Sequence, residues 1–87
     1  MKTARLQDIN RTLGDLVNEA PYLSVEHGES KGKFYVYSLF SEEGIALIAR
    51  AEVLLRNAGF IFKLRGKNGN LYRDFGADEI IITGRAS

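Results

Sequence analysis

The spacing of the apolar residues switches twice along this chain, and those switches limit what it can fold into. Leu6, Ile9, Leu13, Leu16, Val17 and Ala20 recur at steps of three and four, which puts them on one stripe of a helix. Arg5, Asp8, Arg11, Asp15 and Glu19 occupy the other side. The pattern predicts a helix over about residues 4–19, with Thr3 as its cap. Pro21 ends it, because proline lacks an N–H and restrains the residue before it. From Tyr22 to His27 the period falls to two, with Leu23 and Val25 on one side and Ser24 and Glu26 on the other. Gly28 to Gly32 is turn chemistry, and Phe34-Tyr35-Val36-Tyr37 follows as a strand apolar on both sides. This predicts a hairpin whose second strand is interior.

The same sequence of periods then returns. Ser41 is placed to cap a second helix, with Glu42 and Glu43 in the first turn, where the helix dipole favours negative charge. Phe40 and Ile45 have the spacing of a hydrophobic staple. Leu47, Ile48, Ala51, Leu54, Leu55 and Ala58 form the main apolar arc, the small residues Ala46, Ala49 and Val53 widen its buried side, and Gly59 supplies the stop. Phe60, Phe62 and Leu64 then alternate with Ile61, Lys63 and Arg65, giving a strand with one apolar and one basic face. Gly66 to Asn70 is a turn, residues 71–75 return, Gly76-Ala77-Asp78 interrupts, and Ile80-Ile81-Ile82-Thr83 reads as a last strand. Whether 71–75 and 79–83 make one strand or two is open at this level.

The two halves match in residue class. Leu16, Val17 and Ala20 have the spacing of Leu54, Leu55 and Ala58, and with one residue deleted near Gly59, Leu23 and Val25 fall on Phe60 and Phe62. Gly32 then falls on Gly69, and Phe34-Tyr35 on Leu71-Tyr72. This suggests pseudo-repeats over 3–40 and 41–76, with a C-terminal strand at 79–83. One helix–strand–strand unit cannot bury its apolar face alone, whereas two can share a sheet. The expected fold is therefore α+β: a single antiparallel sheet of four to five strands, two helices on one face, in the order α-β-β-α-β-β. That order is a circular rearrangement of the β-α-β-β-α-β pattern of ferredoxin-like modules, which it resembles in element order without transferring any functional residue.

Composition narrows the function classes. With 87 residues, 45% of them hydrophobic and 26% charged, the chain has the size and content of one folded domain. It has no cysteine, so it holds no disulfide and no thiolate metal site. Twelve Lys+Arg against eleven Asp+Glu leave a net charge of +1, too little for a global field toward nucleic acid or membrane. No apolar run is long enough to cross a bilayer and no export signal precedes the first helix, so a cytoplasmic protein without membrane contact is expected.

Catalysis has little to stand on. The single histidine, His27, falls at a strand end with no nucleophile in view, and Glu42 and Glu43 diverge around a helix. Asp74, Asp78 and Glu79 lack the spacing of a cation loop. No catalytic residue, cofactor or metal site is assigned, and the chain is expected to be a non-enzymatic, accessory or regulatory binding protein. Its partner-binding residues are Tyr35, Tyr37 and Tyr72, rings that stay partly uncovered if helices shield one side of the sheet, and Ile81 in an all-apolar strand. The expected partner is another protein, with self-association through the C-terminal strand as a further expectation. The alternative is nucleic acid. No acidic residue lies between Val53 and Arg73, and Arg56, Lys63, Arg65, Lys67, Asn68 and Arg73 would then line a basic hairpin.

Overall fold

The structure is a computed structural model that describes residues 2–39, 41–66 and 76–86. Helix α1 spans Leu6–Glu19, strands β1 and β2 span Ser24–His27 and Phe34–Tyr37, helix α2 spans Glu42–Asn57, and strands β3 and β4 span Phe60–Arg65 and Glu79–Arg85. The fold is α+β, and its one sheet is antiparallel throughout, in the order β1-β2-β4-β3. Strands β2 and β3 are thus parallel to each other with β4 between them, a split β-α-β unit joined by α2. Residues 71–75, which carry the second-strand match of the internal repeat, lie outside the described residues, as does Phe40 of the expected staple.

Period-two alternation sorts the sheet into two faces. On one, the register aligns Val25, Val36, Ile80 and Leu64 in one row and His27, Phe34, Ile82 and Phe62 in the next. Apart from His27, these residues are buried or packed against the core, where they meet Ile9, Leu13 and Leu16 of α1 and Leu47, Ile48, Ala51 and Leu55 of α2. No polar or charged residue belongs to this core among the described residues. Both helices therefore cover the same face, because each has one apolar stripe and the sheet offers one continuous apolar surface to receive it. His27 sits at the strand end, exposed, with its ring 5.1 Å from that of Phe34.

Local signals explain most element boundaries. Ser41 caps α2, its hydroxyl accepting from the Gly44 N–H at 3.1 Å, and Gly59 turns the chain out of the helix at φ 87°. At α1 the cap position is Arg5 rather than Thr3, and no side chain caps the helix. Thr3 is used elsewhere. Its neighbour Lys2 forms a backbone bridge with Arg85, and Thr3 lies against Gly32 so closely that a Cβ there would come within 2.5 Å of the threonine methyl.

The expected widening of the buried side of α2 does not occur. Ala46, Ala49 and Val53 are exposed, and Leu54 is 40% exposed, because no described element packs on that side of the helix. Among the described residues no helix is long and apolar enough to cross a membrane.

Strand β4 contains one irregularity with consequences. Ile61 pairs with Gly84 and Phe62 with Ile82, which leaves Thr83 as an extra residue. Such a bulge reverses the alternation beyond it. Arg85 consequently turns to the helix side, where its guanidinium lies 4.9 Å from the Phe60 ring and 3.0 Å from the Asp8 carboxylate of α1.

Candidate functional site

The face of the sheet away from the helices is where the sequence-derived candidates meet. Its two complete rows run Glu26, Tyr35, Ile81, Lys63 and Ser24, Tyr37, Glu79, Arg65 across β1, β2, β4 and β3. Tyr35, Tyr37 and Ile81 are half-buried side by side at its centre, and Ile61, 40% exposed, extends the apolar surface along β3. No described element lies over them. A ring or aliphatic side chain in such a position is shielded only by its sheet neighbours, so a partner that covers it removes further apolar area from water.

The rings are held in place. The Tyr37 hydroxyl donates to the Glu26 carboxylate at 2.5 Å, and the Tyr35 hydroxyl makes a longer contact of 3.5 Å with Glu29. The bond to Glu26 raises the Tyr37 pKa above the ordinary tyrosine value, since ionising a phenol beside a carboxylate is unfavourable; partial burial adds to the shift. Tyr35 is flanked by two cations, Arg65 at 5.7 Å and Lys33 at 5.8 Å from its ring centre. Arg65 also forms an ion pair with Glu79, its neighbour across the strand pair. The face as a whole mixes Glu26, Glu29 and Glu79 with Lys33, Lys63 and Arg65, so its charges balance.

This arrangement brings Tyr35, Tyr37 and Ile81 together as one surface. Tyr72 lies outside the described residues. Ile80 and Ile82 face the core, and both hydrogen-bonding edges of β4 are used by β2 and β3. On the open face β4 presents Glu79 and Ile81, and Thr83 is exposed at its bulge.

The residues of the nucleic-acid alternative are divided. Lys63 and Arg65 share the open face. Arg56 lies on the other side of the sheet, over the Phe62 ring at 5.5 Å and paired with Glu52 at 2.9 Å. Lys67, Asn68 and Arg73 are outside the described residues.

Glu26, Glu29, Lys33, Ile61 and Glu79 contribute to the face and are absent from the sequence-derived set. Glu26 and Glu29 come from β1 and its turn, and they become neighbours of the tyrosines only through the hairpin register. Counting out from the expected turn at 28–32 would pair residue 26 with residue 34; the observed loop is one residue longer, and that places Glu26 opposite Tyr35. Ile61 was the apolar member of the basic face of β3.

Among the described residues of this face the contacts are Tyr37 with Glu26, Tyr35 with Glu29 and Arg65 with Glu79, an arrangement that sets no nucleophile beside a base. Of the acidic cluster Asp74, Asp78 and Glu79, Glu79 is engaged by Arg65 and Asp74 lies outside the described residues. Comparison with protein-family models, with curated proteins and with solved structures finds no match for this chain.

Proposed function

We propose that this chain is a non-catalytic binding module whose open sheet face docks onto another protein. The observation that supports this most is the cluster of Tyr35, Tyr37, Ile61 and Ile81 on a face that no described element covers. Tyrosines whose hydroxyls are already bonded lose little freedom on binding, which lowers the cost of association. Balanced charge around them suits the mixed surface of a protein, whereas a phosphate backbone calls for an excess of cations.

The test is affinity capture from the source cell with wild-type chain and the double variant Tyr35→Ala/Tyr37→Ala. Each tyrosine is expected to contribute roughly tenfold in affinity as a central anchor, so the double variant should lose the wild-type partner. Circular dichroism should show both proteins folded. Capture that persists in the variant contradicts the proposal, and capture abolished by nuclease treatment replaces it with the nucleic-acid reading.

A further inference from the structure

Away from the sheet face, where residues 2–5 cross the end of β4, Lys2, Thr3, Arg5, Asp8 and Arg85 line a cavity of about 600 Å3. Three cations enter it from three parts of the fold: the segment before α1, the α1 cap position and the last residue of β4. Asp8 is the one carboxylate in that lining, and it is already engaged by Arg85 at 3.0 Å and by Arg11 at 3.9 Å. Gly32 packs against Thr3 at the same end of the fold, which holds the segment before α1 in place. No window of sequence shows this cluster, because its members are separated by nearly the whole chain and are gathered by the backbone bridge between Lys2 and Arg85.

The geometry points to a binding site for closely spaced phosphate groups, separate from the open sheet face and independent of what that face binds. Arg85 is preorganised: the bulge at Thr83 turns it inward, its guanidinium lies 4.9 Å from the Phe60 ring centre, and one of its terminal nitrogens is held by Asp8 at 3.0 Å. A guanidinium held in this way presents its remaining N–H groups to an anion at little entropic cost. The exposed side chains of Lys2 and Arg5 supply charge without a fixed partner among the described residues. A carboxylate would neutralise one of these cations, whereas a diphosphate carries several charges and enough acceptor oxygens for all three. The lining is polar and charged, which excludes the apolar ligands that fill cavities of this size elsewhere.

The probes are inorganic pyrophosphate and a single-stranded oligonucleotide, each titrated by calorimetry at constant ionic strength, against wild type and Lys2→Gln/Arg5→Gln. Both residues are exposed and outside the core, so the variant should unfold at the wild-type temperature without ligand. Pyrophosphate should bind the wild type, and the variant should bind it about a hundredfold more weakly, at roughly tenfold for each charged contact removed. If the oligonucleotide also binds and pyrophosphate displaces it, the natural source is a nucleic-acid backbone; if only pyrophosphate binds, it is a free condensed phosphate. Absence of pyrophosphate binding, or equal binding by the variant, overturns the inference.

Discussion

Replacing Gly44 with alanine should destabilise the protein by about 3 kcal/mol, a large share of what holds a domain of this size. Gly44 stands in the first turn of α2, where a Cβ would lie 1.7 Å from the Leu39 carbonyl oxygen and 2.7 Å from its carbon. These are backbone atoms and have no rotamer into which to escape. Moving the chain to make room would also break the Gly44 N–H bond to Ser41, a cap worth about 1 kcal/mol. The same substitution at Gly14 should act in the opposite direction. Gly14 lies inside α1 with nothing within 4 Å of the position a Cβ would take, so alanine gains about 1 kcal/mol from helix propensity alone. Urea unfolding of the two variants measures both effects. A Gly44→Ala variant as stable as the wild type or more so would show that the approach of Leu39 to α2 is misplaced.

The second large effect separates the faces of the sheet at adjacent residues. Ile80 is fully buried, in register with Val36 on one side and Leu64 on the other, and Ile80→Ala should cost about 3 kcal/mol through lost burial and the cavity left behind. Ile81 points to the open face, where Tyr35 and Lys63 are its cross-strand neighbours. Truncating it removes contacts with those neighbours and leaves no enclosed cavity, so Ile81→Ala should cost about 1 kcal/mol. Chemical denaturation again gives the comparison. Equal losses would mean that both faces of β4 are covered in the folded protein, which would remove the surface assigned to binding.

What could be read in the sequence was local. The helical stripes, the first hairpin, the cap at Ser41 and the stop at Gly59 each depend on residues within a turn or two of one another. The sorting of β3 into an apolar and a basic face followed from alternation alone. Strand order is another matter. The place of β4 between β2 and β3 comes from packing two helices over one continuous apolar face, and no short-range signal encodes it. The same limit accounts for Thr3, a good cap by residue type that instead meets Gly32, some thirty positions along. It accounts as well for Ala46, Ala49 and Val53, whose small apolar side chains imply a neighbour on a side of α2 where none is described.

The candidate face was legible in part for the same reason. Tyr35, Tyr37 and Ile81 emerge from period two, whereas the glutamates that hold the rings depend on a loop one residue longer than the turn chemistry indicates. The basic end of the molecule was not legible at all. Residues 2, 5, 8 and 85 come together only after the bulge at Thr83 turns Arg85 inward and Lys2 pairs with it. The basic window between Val53 and Arg73 is contiguous in sequence, yet the fold separates Arg56 from Lys63 and Arg65 by the thickness of the sheet.

Site-specific photo-crosslinking in the source cell tests the working surface most directly, because it captures whatever protein contacts the modified position. A benzophenone side chain in place of Lys63 or Ile61, exposed positions on the open face, should trap a protein of defined mass. The same group in place of Val53 or Leu54, exposed on the outer side of α2, should trap nothing above background. Crosslinks confined to Val53 and Leu54, with Lys63 and Ile61 silent, would place the partner on the helices and contradict the account.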